Sequence, residues 1–300
     1  MEQETKALRL SVAMNLVMAA LGLAFGWWSG SNAILLDGFF SLIGFAMALV
    51  TIRVARLVFQ PPDEHFHFGY AQFEPFLNTI KGLLMLGVAG FALAASIGAI
   101  IGGGRAVQSG LGIVYALIAL AGCVAVGAMQ GRAAKRLGSP LLEVDSKNWA
   151  IDGLLSGVVA VVFVLALLLG RSRFAYVVPY VDPVLVIVLI VAIVAVPIRT
   201  IRDGLREILA FAPETGIQED VRRRVGSAIE DLPLANSHVR MMKVGRFLYV
   251  LNQLVVSPEF KLGRVSDLDA VRARIADAMQ GFEPKPIIDT VFTEDEKWTE

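Results

Sequence analysis

The sequence predicts an all-α bundle of six transmembrane helices followed by a small α+β domain, and three observations lead there. Of 300 residues, 56% are hydrophobic and only 18% charged, against about 45–50% and about 25% in soluble domains. The apolar excess falls almost wholly before about residue 200, in six runs near the ~20 residues that cross a hydrocarbon core of roughly 30 Å. The last third instead mixes short helical and alternating patterns of the kind a soluble domain shows.

The apolar runs lie at Leu10–Trp28, Ala33–Ile52, Pro75–Ile101, Leu111–Met129, Trp149–Leu169 and Val177–Ile198, each bounded by Gly, Pro or charge. They are too long and continuous for barrel strands, so helices must satisfy their backbone in lipid. The charged stretch Met1–Arg9 precedes a run with no cleavage pattern of its own, which reads as a retained helix. Trp27–Ser31 is a tight hairpin turn, and Gly102–Gly104 a flexible turn. No Lys-Ser/Thr follows that glycine run, so it is not a phosphate loop. Glycines such as Gly82, Gly87 and Gly90 suit close helix packing. Lys6, Arg9, Arg53, Arg56, Arg132, Lys135, Arg136, Arg199, Arg202 and Arg206 fall on one side of such a bundle, and only Arg105, Arg171 and Arg173 on the other. The positive-inside bias places both termini in the cytoplasm of a multi-pass cell (inner) membrane protein.

The domain boundary is placed at 208/209. After Pro213, Thr215 and Gln218 form a capping-box pattern opening a helix to about Asp231. His238–Val244 and Phe247–Ser257 alternate as strands. Ser266 and Asp269 open a second helix that stops near Gly281, and Ile287–Thr293 is a third strand. The order α-β-β-α-β suggests an antiparallel sheet with helices on one face, followed by a frayed tail, Glu294–Glu300. Arg222–Arg224 reads as a solvated or headgroup-facing run.

Charge at membrane depth costs at least about 2.5–3.5 kcal/mol per group, so each instance is a functional candidate. Asp37 and Ser41 on the second helix share a face at i, i+4 spacing, as do Asn148 and Asp152 on the fifth. Two carboxylates, an amide and a hydroxyl are an oxygen set suited to hard or borderline divalent cations. The other reading is that the two Asp residues cap or brace helices. Lys81 on the third helix either snorkels to the interface or neutralises Asp37 or Asp152. Cys123 reads as a small core residue, and one cysteine allows no intrachain disulfide.

With these motifs on the page, the chain resembles the cation diffusion facilitator family. The resemblance runs from Leu8 to Phe292. It is carried by Asn15 with "WWSGSNAILLDGFFSLIGFAMAL", by the loop "QPPDEHFHFGYAQFEPF" (Gln60–Phe76) and by "EVDSKNWAIDGLLSG" (Glu143–Gly157). It implies a ferredoxin-like cytoplasmic domain that forms a homodimer, and a secondary transporter exporting a divalent metal cation in exchange for protons. The family's four-ligand transport site maps onto Asp37, Ser41, Asn148 and Asp152. Ser41 and Asn148 depart from its Asp/His pattern, and neutral oxygens bind zinc weakly, which argues against zinc. A loop site maps onto Asp63, with His65 and His67 displaced and Phe66 and Tyr70 in the usual His positions. A solvated loop is the other reading of that segment. In the cytoplasmic domain His238, Asn252 and Asp289 fall near ligand positions, with His238 the one histidine among them.

The substrate is then one of Mn²⁺, Fe²⁺, Co²⁺, Zn²⁺ or Mg²⁺, with protons and the bilayer as the other partners and no permanent cofactor. Zero formal net charge gives no reason to expect nucleic acid. No Ser/His or HExxH arrangement suggests an enzyme. The alternative function is a non-transporting scaffold or regulatory partner on the same fold.

Overall fold

The computed structural model describes residues 2–58, 60–137, 140–260 and 263–299; Met1 and Glu300, the ends of the two predicted terminal segments, lie outside them. The chain divides into two compact units, Met1–Arg53 with Ile80–Ile201, and Val54–Thr79 with Arg202–Glu300.

The membrane-spanning helices are α1 (Glu2–Ser29), α2 (Asn32–Leu57), α3 (Phe73–Ile101), α4 (Ser109–Leu137), α5 (Pro140–Leu169) and the pair α6 (Val178–Ile193) and α7 (Ala195–Ile208). Six stretches among them are long and apolar enough to cross a membrane. Most outrun the apolar runs at one end, because a helix continues into water on charged residues that a hydropathy reading excludes. The sixth span breaks at Val194. Pro197 has no N–H for the Ile193 carbonyl four residues back, which loosens that turn.

α4 and α5 form the centre of the first unit. Phe163 lies across Gly112, where a Cβ would come within 2.9 Å of the ring. Around this contact Ile34, Leu36, Ala116, Ala119, Val186 and Ile190 make an apolar core. Three polar clasps join α1, α4 and α5. Trp149 Nε1 donates to Ser11 Oγ at 2.7 Å, Ser146 Oγ to the Gly127 carbonyl at 2.9 Å and Gln130 Nε2 to the Ala7 carbonyl at 2.8 Å. In a membrane such bonds average about 0.6 kcal/mol each, so they fix register more than they add stability. Gly82 does pack closely, against Pro197 and Ile201, whereas a Cβ at Gly87 or Gly90 would meet nothing within 4 Å.

The second unit contains α8 (Thr215–Ile229), β1 (Leu234–Val244), β2 (Phe247–Val256), α9 (Val265–Ala278) and β3 (Lys285–Thr293). The sheet order is β1-β2-β3. β1 and β2 pair antiparallel, but β2 and β3 pair parallel, so the sheet is mixed rather than antiparallel. The reason is the α9 crossover, which returns the chain to the end where β2 began. Val221, Val225 and Ile229 of α8, with Val271 and Ile275 of α9, cover the Leu248, Val250 and Leu254 face of β2.

Both helix starts differ from the sequence expectation. Thr215 is the first helical residue, and Gln218 donates its amide to the Pro213 carbonyl at 2.7 Å instead of closing a box. α9 opens two residues earlier, capped at Arg264, where Asp267 accepts the Arg264 N–H at 2.8 Å, while Asp269 pairs with Arg272 inside the helix. The tail is not frayed over its described length. A short turn, Glu296–Thr299, lies against the sheet: Asn236 Nδ2 donates to Glu296 at 2.7 Å, Gln253 Nε2 to the Trp298 carbonyl at 3.3 Å, and Arg240 to the Thr299 carbonyl.

In this unit the β1–β2 turn is clasped by two acidic residues. Glu207 accepts Lys243 Nζ at 2.9 Å and the Gly245 N–H at 2.8 Å, and Glu74 accepts Arg246 Nε at 2.9 Å. Gly245 has φ +57°, and a Cβ there would fall 2.6 Å from a Glu74 oxygen. Both conditions call for glycine.

Candidate functional site

Asp37 sits on α2 one and a half turns from its start, and two features hold it there. The first is the crossing of α1 and α2 at Gly22 and Gly38. A Cβ on Gly22 would lie 2.6 Å from Gly38 Cα and 3.0 Å from the Tyr115 hydroxyl, so the two backbones touch beside Asp37. The second is the α2 N-terminus. Its leading N–H groups have no partners within the helix. Ser31 Oγ accepts the Ile34 N–H at 3.2 Å, and Asp182 of α6 accepts those of Asn32 at 3.0 Å and Ala33 at 3.3 Å, as well as the Ser31 hydroxyl. Asp182, only 1% exposed, therefore caps a helix from 150 residues away.

The Asp37 carboxylate is exposed, although its neighbours are not. Tyr115 of α4, 3% exposed, donates its hydroxyl to Asp37 Oδ2. Both line a cavity of about 50 Å³ with Ser156 of α5 and an apolar wall that includes Ile34, Phe40, Val159 and Leu189. Ser156 donates to the Asp152 carbonyl at 3.0 Å. Asp152 is exposed one turn along α5, close enough to Asp37 for each charge to act on the other. Ionisable side chains exposed at membrane depth need water, a counter-charge or another chain to meet them. Cys123 of α4 is buried, within charge reach of both carboxylates.

The other sequence candidates divide. Asn148 is exposed and Ser41 half-buried, and neither lines this cavity. Lys81 is half-buried and makes no ion pair among the described residues. In the loop, Asp63, His65 and His67 are all exposed. Asp63 Oδ1 accepts the N–H groups of His65 at 2.9 Å and Phe66 at 2.8 Å, and Oδ2 accepts the Tyr70 hydroxyl. Those bonds, Tyr70's foremost, hold the Asp63 carboxyl below the ordinary range and push the Tyr70 hydroxyl up. Phe66 and Tyr70 pack ring against ring at a tilt of 39°, with centroids 4.7 Å apart, in the positions where the family resemblance expected histidines. His238 Nε2 lies 3.3 Å from Glu296. Asn252 is fully buried in the apolar core between Val239 and Thr290, with neither amide atom partnered among the described residues. Asp289 borders an open groove with Arg272. Among the described residues, no three His, Cys, Asp or Glu side chains converge to hold an ion by themselves.

Sequence reading missed Tyr115, Ser156, Asp145 and Asp182. Asp145 lies in the α5 turn below the apolar run, beside Ser11 and Trp149. Asp182 carried a legible signal, an acid within an apolar run next to Pro183. Tyr115 and Ser156 carried none, since single hydroxyls in apolar helices are common.

The model of the cation efflux transmembrane domain matches residues 8–209. The chain belongs to the cation efflux family. Among relatives, the "Cation-efflux pump FieF" of Citrobacter koseri is 29% identical over 154 residues, 50% of this chain and 51% of that protein. The protein of that name from Escherichia coli K12 is 24% identical over 136 residues, 45% of each. The chain thus spans about half the length of these relatives. The "Magnetosome protein MamM" of Paramagnetospirillum magneticum is 22% identical over 278 residues, 91% of this chain and 84% of that protein. The chain therefore carries a cation efflux transmembrane domain, with six helical stretches long and apolar enough to cross a membrane.

Proposed function

We propose that this cation efflux protein exports a divalent metal cation from the cytoplasm in exchange for protons, across the cell membrane, with Asp37 and Asp152 as its indispensable ligands. The observation that carries the reading is the pair itself: two exposed carboxylates on different spanning helices, within reach of each other's charge. A divalent cation neutralises both, and protons can take its place on the return. Ser41 and Asn148 are the two neutral oxygens that the family spacing sets beside these carboxylates. Asp63, His65 and His67 form a water-exposed loop site, and His238 a further weak contact.

Residues 1–208 form the transport domain, and residues 209–300 the domain through which a homodimer assembles. The positive-inside bias supports cytoplasmic termini. The two relatives named as cation-efflux pumps support the export direction.

The second reading, a non-transporting scaffold or regulatory partner, is favoured by the lack of three convergent ligand side chains among the described residues. Flux separates the two. Purified protein in proteoliposomes is tested with Mn²⁺, Fe²⁺, Co²⁺, Zn²⁺ and Mg²⁺ under opposed pH gradients, with Asp37→Ala as the blank. Gradient-sensitive flux that needs Asp37 supports the antiporter. Absence of flux for all five metals, from folded protein, supports the scaffold.

A further inference from the structure

The hydroxyl groups that share the cavity with Asp37 are not the ones the family spacing indicates. Ser41 and Asn148 are absent from the lining of the Asp37 cavity, whereas Tyr115 and Ser156 both belong to it. Both hydroxyl protons are already committed, that of Tyr115 to Asp37 and that of Ser156 to the Asp152 carbonyl at 3.0 Å. A hydroxyl whose proton is spent offers only lone pairs to whatever enters beside it. The cavity therefore presents a carboxylate and two acceptor oxygens, which is a cation's environment. Its volume of about 50 Å³ has room for an ion with a few of its waters, since roughly 10–15 Å³ of such space holds one water. The apolar wall leaves the attraction between ion and oxygen poorly screened.

From this placement we infer that Tyr115 and Ser156, rather than Ser41 and Asn148, complete the cation site beside Asp37, and that this all-oxygen set selects a hard divalent cation of the Mn²⁺/Mg²⁺ class. The inference rests on the transport reading above. It puts the site one helical turn nearer the α1–α2 hairpin than the Asn148–Asp152 spacing implies. It also gives α4, through Tyr115, a direct part in holding the substrate.

The test is Mn²⁺ and Cd²⁺ flux in proteoliposomes for wild type, Tyr115→Phe, Ser156→Ala, Ser156→Cys, Asn148→Cys and Asp37→Ala. Each variant is first confirmed folded by its elution and thermal unfolding. Tyr115→Phe and Ser156→Ala are near-isosteric and are expected to raise KM for Mn²⁺ about 10–100-fold, the range found when groups supporting a metal are removed. Ser156→Cys is expected to turn preference toward Cd²⁺, because sulfur favours the softer ion. A merely structural role for Ser156 would not produce that switch. Asn148→Cys is expected to leave the preference unchanged. Asp37-dependent flux whose KM ignores Tyr115→Phe and Ser156→Ala would overturn this inference and leave the transport reading standing. So would a Cd²⁺ switch produced by Asn148→Cys alone. Wild-type protein that carries no metal would overturn both.

Discussion

The Asp182 cap on α2 can be broken in a way that reports its strength. Asp182→Ala leaves the Asn32 and Ala33 N–H groups and the Ser31 hydroxyl without their acceptor in a buried place. Loss of a helix cap costs about 0.5–2 kcal/mol, and each stranded buried donor adds about 1–3 kcal/mol in soluble cores. Interhelical bonds in membranes average a weaker ~0.6 kcal/mol. Weighing these, Asp182→Ala should destabilise by about 2–4 kcal/mol. Ser31→Ala removes the Ile34 cap and one donor to Asp182, and should destabilise by about 1–2 kcal/mol. Because the two share a bond, the double variant should fall short of the sum by about 1 kcal/mol. The assay is denaturant unfolding in detergent micelles across the four proteins of the cycle. Additive losses, or an Asp182→Ala loss within ~0.5 kcal/mol of zero, would refute the capping account.

Three further outcomes follow from local geometry. Gly22→Ala should force α1 and α2 apart and lower both thermal stability, by about 1–3 kcal/mol, and flux, while Gly44→Ala, with nothing within 4 Å, should change neither. Asn252→Leu should stabilise the sheet unit by about 1–3 kcal/mol by removing an unpaired buried amide, read as slower hydrogen exchange along β2. Asp63 titrates below its ordinary value of 3.8. The order it gives residues 63–70 should therefore be complete above that value and be lost as pH falls through the lower folded one. Tyr70→Phe should return the Asp63 titration toward the ordinary value, measured by NMR of carbon-labelled aspartate.

The bundle and the order of the soluble elements were legible because hydropathy and periodicity report burial. Strand pairing was less so. Val250 alternates identically whether its β3 neighbour Ile288 runs parallel or antiparallel, and only the α9 crossover decides. Helix ends were misjudged where charge continues a helix into water, which placed Asp145 outside the expected α5. Of the candidate site, Asp37 and Asp152 stood out because charge is rare in lipid. Tyr115 became visible only when α4 was packed against α2, since no local spacing links residues 78 positions apart. Glu74 and Glu207 read as ordinary interfacial charges, and their shared hold on Gly245 and Arg246 depends on tertiary placement.

The measurement that bears most directly on the transport site is the position of Mn²⁺ in the full-length protein, found by anomalous scattering. A peak about 2.0–2.6 Å from an Asp37 oxygen, lost in Asp37→Ala, is the expected result. A peak confined to Asp63, His65 and His67 or to His238, with none beside Asp37, would contradict it.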